Sequence, residues 1–163
     1  MFLAGSVVWV QKDGILCELP IQHVRVDDLI FTEKCRFCRV VETHAQAVYH
    51  GLLMSDTGWK IWCFYNTSFF GYEKAGGEPK DVLAKDMVHG TKYWKCYSTF
   101  YPDSDVRFER VIDWRPCYNK FPKNGQFQLL YRNAYSVTVE EDHSFFVNGI
   151  AVFDNTFNKE FIE

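Results

Sequence analysis

His143 and the neighbouring pair Asp154-Asn155 are the residues of this 163-residue chain whose types and placement best suit chemistry. An imidazole takes up and releases protons near neutral pH. His143 stands just before an apolar run, Ser144 to Val147, and the Asp-Asn pair follows soon after the next run, Ile150 to Phe153. Asn148-Gly149 between the runs is a tight-turn signal. Cys35-Arg-Phe-Cys38 is the second constellation, with the spacing of half a zinc site. No second C-x-x-C or H-x3-5-H pair accompanies it, and His44 and His50 stand too far apart for that spacing. Cys35 and Cys38 therefore read as an exposed pair at a strand end, with no metal and no cofactor expected. A redox role is weaker still, because no βαβ pattern surrounds them.

Short strands must position these groups. Tyr135, Val137 and Val139 alternate with Ser136 and Thr138, the period-2 signal of a half-buried strand. Further runs are Val7 to Val10, Ile15 to Leu19, Leu29 to Phe31, Arg39 to Ala47, Tyr49 to Met54 and Trp59 to Phe64. Lys92 to Tyr101, Val106 to Trp114 and Gln126 to Arg132 read the same way, and Asp81 to Met87 as one helical turn or a short strand. Turns fall at Lys12-Asp13-Gly14, Asp56-Thr57-Gly58 and Pro122-Lys123-Asn124-Gly125, with a loop over Gly71 to Lys80. Strands every 8 to 12 residues with little helix predict one all-β domain, a barrel or a sandwich. The domain is expected over residues 1–155, with a short tail over 156–163. Phe157, Phe161 and Ile162 in that tail suit one face of a helical turn.

Composition excludes several classes. The chain is 47% hydrophobic and 18% aromatic, with 15 Phe, 9 Tyr and 5 Trp, which favours a β-rich interior of large flat side chains. The formal net charge is −3 and no Lys/Arg block stands out, so no nucleic-acid partner is expected. No apolar run reaches the ~18–20 residues of a membrane helix. The N-terminus lacks the basic stretch and apolar core of a secretion signal. The six cysteines are then expected to be reduced, in a cytoplasmic setting. Trp62-Cys63-Phe64-Tyr65 with Phe69-Phe70 reads as core, and Asp27-Asp28 and Glu140-Glu141-Asp142 as solvated loop charge.

Three blocks in order resemble the Hint domains, the family that includes inteins. Met1-Phe2-Leu3-Ala4-Gly5-Ser6-Val7-Val8 resembles the opening C-F-x-A-G-T-x-V. In the centre, Trp62 to Phe70 followed by Val82 to Thr91 resembles the T-x-x-H-P-F block and the A-x-D-L-x-x-G-D run after it. The closing stretch Ala134 to Asn155 resembles V-Y-D-x-x-V-E-x-x-H-N-F-F-x-N-G-I-x-V-H-N. The resemblance implies a compact all-β horseshoe of short antiparallel strands whose two ends meet in a central cleft.

It also implies where chemistry would sit. Family members open with a Cys or Ser that attacks the carbonyl before it. A Thr-x-x-His pair polarises that peptide, and a late His activates a terminal Asn that cyclises and cuts the chain. Here the first position is Met1, whose thioether has no proton to lose. Phe64 stands where the family has Thr, and Thr67 where it has His. The late His is kept as His143. An ungapped count from Gly149 puts Phe153 at the penultimate His and Asp154 at the terminal Asn; a one-residue insertion instead puts Asn155 there, with Thr156 as an acceptor hydroxyl. The expectation is a splicing-inactive Hint-like domain used as a structural or protein-binding module. A protein partner or larger assembly is implied, such as a phage or viral virion or accessory component. The alternative is an active autoprocessing domain that cuts after Asn155 and releases Thr156 to Glu163.

Overall fold

The computed structural model describes residues 1–99, 102, 105–118 and 123–157. Among the described residues fifteen strands follow one another: β1 (Phe2–Leu3), β2 (Val7–Lys12), β3 (Ile15–Pro20), β4 (Leu29–Phe31), β5 (Phe37–Ser55), β6 (Lys60–Phe64), β7 (Ser68–Tyr72), β8 (Lys80–Leu83), β9 (Val88–His89), β10 (Lys92–Tyr93), β11 (Lys95–Thr99), β12 (Val106–Pro116), β13 (Tyr131–Val139), β14 (Ser144–Val147) and β15 (Ile150–Phe153). The only helices among the described residues are single 3-10 turns, such as Ala84–Asp86 and Asn155–Phe157. The fold is all-β and antiparallel, as the strand spacing predicts.

Two long strands tie the molecule together. The sequence breaks residues 39 to 54 into two runs at Val48, yet the backbone continues through them as the 19-residue β5. Its neighbours change along its length. Arg39 faces β4, Val40 to Tyr49 face β13, and the stretch from His50 onward lies between β6 and β12. β12 behaves likewise, pairing with β11 and then β5, with a register shift between Val111 and Asp113. Such shifts bend a strand and let it leave one sheet for another. β5, β6, β1 and β13 close into a ring, because β13 pairs with both β1 and β5.

Alternation sets the core. On β2 and β14–β15, Val8, Val10, Phe145, Val147, Ile150 and Val152 join one large cluster with Phe2, Leu53, Ile61 and Phe69. A second, aromatic cluster joins Trp9, Phe31, Phe70, Tyr72 and Phe146. The aromatic stretch around residue 63 is not all core: β6 alternates, so Cys63 and Phe64 are buried while Trp62 is 42% exposed.

Other expectations shift locally. Residues 81 to 87 form both proposed structures, the end of β8 and then a 3-10 turn. The run from Gln126 becomes strand only at Tyr131, preceded by one bridge between Tyr118 and Leu129; Phe127 is exposed and pairs with no strand among the described residues. Phe161 and Ile162 lie outside the described residues, and Asn155–Phe157 is a 3-10 turn.

Candidate functional site

The first residue lies in the interior. β1 runs between β6 and β13, with Phe2 opposite Cys63 on one side and Tyr135 on the other. The same registers carry Met1 to the level of Phe64 and Ser136, and Phe64 N–H donates to Met1 O at 3.0 Å. The Met1 side chain is 2% exposed and packs in a small apolar cluster with Val48, Phe64 and Ala134. Thr67 closes the polar side. Its Oγ1 accepts from the Met1 nitrogen at 3.0 Å and donates to Met1 O at 3.1 Å. Both polar atoms of Met1 are thus bonded inside the protein, as buried polar groups must be.

Burial dominates the electrostatics there. With no compensating negative charge, it lowers the Met1 α-amine to about 5, opposed only by a smaller interaction with Cys63. It pushes the Cys63 thiol up to about 12, with the Met1 nitrogen and Thr67 acting weakly the other way. A thiol held that high is protonated at neutral pH and a poor nucleophile. Cys63 was not singled out in the sequence; the alternation of β6 is the signal that turns it inward beside Met1.

The second half of the site is built by one hairpin. Asn148 and Gly149 both have positive φ, 50° and 81°, as a two-residue primed turn requires. Gly149 is needed for a second reason: a Cβ there would come 2.6 Å from Thr99 O. The turn fixes the register from Val147 opposite Ile150 to Ser144 opposite Phe153. One step further, His143 stands opposite Asp154, and Asp154 N–H donates to His143 O at 2.9 Å. The Asp154 carboxylate is fully buried. It accepts from Val139 N–H at 2.7 Å and from Thr156 N–H at 2.9 Å, and lies 3.2 Å from His143 Nδ1. Thr156 Oγ1 is 3.3 Å from the same nitrogen. With Nδ1 protonated, the ring donates to the carboxylate, and this fixes its orientation. Asn155 follows, as the first residue of the terminal 3-10 turn.

β13 brings the halves together. Met1 is level with Ser136, and Val139, which donates to Asp154, is three residues further along, roughly 10 Å at strand spacing. The two ends of the domain therefore meet on one strand.

Cys35 and Cys38 lie apart from each other in environment. Cys35 is exposed with φ 58°, while Cys38 is buried and its thiol donates to Asp142 Oδ2 at 3.4 Å. Burial is the main reason that thiol is raised. Asp142 also accepts from Thr32 Oγ1 at 2.5 Å and Arg36 Nε at 2.9 Å, and Arg36 holds its carboxyl far below the usual range. Among the described residues no three His, Cys, Asp or Glu side chains cluster as metal ligands. The acidic loops are paired rather than simply solvated: Arg39 bridges Asp27 at 2.7 Å and Glu140 at 3.5 Å.

No family model matches the chain, and no curated protein matches its sequence. Solved structures do. A DnaB intein from Synechocystis superposes with a TM-score of 0.64 at 15% identity, covering 94% of this chain and 98% of that one. The gp41-1 intein gives 0.61 at 14%, covering 91% and 98%. An intein-like domain from Clostridium thermocellum gives 0.61 at 17%, covering 94% and 97%. This is the intein-like Hint fold. At these identities the likeness carries the fold alone. Within that fold, Met1 and Thr67 meet through bonds that neither residue's neighbours announce, and Asp154 rather than Asn155 stands across from His143.

Proposed function

We propose that the chain is an intein-like domain that no longer splices and that works as a protein-binding or structural module. One observation carries the reading: the position of the attacking nucleophile holds a thioether sealed in an apolar cluster by Phe64, Val48 and Ala134. An acyl shift begins with attack by an ionisable hydroxyl or thiol, and a thioether cannot supply one. The group facing the Met1 nitrogen is a hydroxyl, Thr67, with no capacity to protonate a leaving amine as an imidazole does. The neighbouring Cys63 is protonated at neutral pH and does not replace what is missing. At the other end, Asp154 is spent on three structural bonds that tie β13, the hairpin and the terminal turn together.

The test is a fusion with a folded tag on each side, incubated for days and followed by intact mass. The fusion is expected to keep its full mass. Joined tags, or release of the upstream tag, would overturn the reading. Release of the downstream tag together with Thr156 to Glu163, leaving a succinimide on Asn155, would instead establish C-terminal autoprocessing.

A further inference from the structure

Away from Met1 and His143, the edge of β3 offers a second feature. β3 pairs with β2 and with no other described strand. Asp13 and Gly14, with φ of 51° and 76°, make a two-residue primed turn between them. In such a hairpin the residues flanking the turn, Lys12 and Ile15, exchange both hydrogen bonds, and pairs then alternate. Leu16 and Glu18 fall on the unbonded pairs. Their N–H and C=O groups point outward, away from β2. Little protects this edge. Ile15 and Leu16 are 65% and 44% exposed, and no lysine or bulge interrupts β3 before Pro20.

A cavity opens beside the edge on the face that Leu16 and Glu18 share with Trp9. It has a volume of about 620 Å³, and its walls include Val7, Trp9, Glu18, Trp59, Arg107 and Glu109. Val7 and Trp9 supply an apolar floor. The charged groups are two carboxylates against one guanidinium, so the cavity carries one net negative charge. Thr57 Oγ1 donates to Glu109 Oε1 at 2.8 Å and holds that carboxylate in place. An aliphatic stem ending in a cation matches such a lining, because the stem covers apolar surface while the head stays among the carboxylates.

We infer that β3 accepts an extended peptide of a partner protein as an added strand, with a Lys or Arg side chain of that peptide entering the cavity between Glu18 and Glu109. Main-chain bonds to Leu16 and Glu18 supply the docking, and the cavity supplies the choice of side chain. The inference deepens the binding-module reading and rests on it.

A random twelve-residue peptide library displayed on phage, selected against the full chain, tests it. Enriched peptides are expected to alternate apolar or β-branched residues with polar ones and to share a Lys or Arg at a fixed place. In calorimetry with a synthetic copy, replacing that basic residue by Glu should weaken binding at least tenfold. Leu16→Pro, which removes an outward N–H, and the pair Glu18→Gln with Glu109→Gln should each do the same in the protein. The double Gln variant leaves the backbone alone and keeps the test valid should Leu16→Pro fail to fold. Absence of enrichment, peptides without a basic residue, or equal binding by the variants overturns the inference. So does a dimer in sedimentation that Leu16→Pro dissolves, since a second copy would then occupy the edge. These outcomes separate from the splicing test: an inert fusion with no peptide enrichment sinks only the surface, whereas joined tags sink the module reading whatever the peptides do.

Discussion

The two halves of the site differ in kind. Around Met1 the site is buried and apolar, and the polar atoms of Met1 are satisfied by Thr67 and Phe64 N–H. Around His143 it is polar, with a buried carboxylate bonded to two backbone N–H groups and an imidazole. The contrast shows what holds a polar group inside a fold, whether or not it reacts. Asp154 joins β13 to the terminal turn, so its removal would strand buried donors, and structure alone is enough to hold it. At the Met1 end, by contrast, hydrophobic side chains fill the space around a single hydroxyl.

Breaking the contrast at the Met1 end should have the largest effect. The buried α-amine sits near 5 against an ordinary 8.0. Between pH 8 and pH 5 the unfolded chain therefore holds a proton that the folded chain does not. Stability must fall as pH falls through that window, by up to ~4 kcal/mol. Urea unfolding at stepped pH measures it. One residue added before Met1 turns the amine into an amide and should flatten that slope; an unchanged slope would place its origin elsewhere.

Asp154→Ala attacks the polar half. Val139 N–H loses its acceptor inside the protein and the part-buried Thr156 N–H loses its own, for a loss of about 2–3 kcal/mol. A change below ~1 kcal/mol in chemical denaturation would mean that water replaces the carboxylate. Thr67→Val keeps the shape at the apolar end and removes the hydroxyl that joins both polar atoms of Met1. Phe64 N–H still serves Met1 O, so one buried group is orphaned, and about 1–2 kcal/mol should be lost in the same assay.

Smaller effects sharpen the picture. The His143 side chain is 43% exposed and its backbone has φ 49°. His143→Ala should cost under ~1 kcal/mol, and His143→Gly should be the more stable of the two by a few tenths, since glycine accepts that φ freely. The reverse order in thermal melts would show that the ring is held for more than its backbone. Thiol labelling gives the last contrast. Exposed Cys35 should react with a maleimide within minutes, while Cys63 and Cys96, both fully buried, should react only on unfolding.

Much of the fold was legible because it is local. The alternation of Tyr135 to Val139, the turn at Asp56 to Gly58 and the β2–β3 hairpin appear where period and turn residues put them. The Met1–Thr67 contact was legible only through the family resemblance, which sets residue 67 beside the first peptide. It spans 66 positions, and no local signal says that β1 will slot between β6 and β13. The Cys38–Asp142 bond, across 104 positions, is of the same kind.

One half of the site follows from local signals. Asn148-Gly149 permits a two-residue turn with both φ positive, and an unbulged register from that turn leaves His143 facing Asp154. The other half depends on packing between distant segments. A two-residue strand such as β1 carries too little pattern to select its neighbours, and its place follows from the ring that β5, β6 and β13 close around it. Dihedral preferences act within a few residues, whereas burial is a property of surfaces assembled from the whole chain, and it is that assembly that places Met1 in the core.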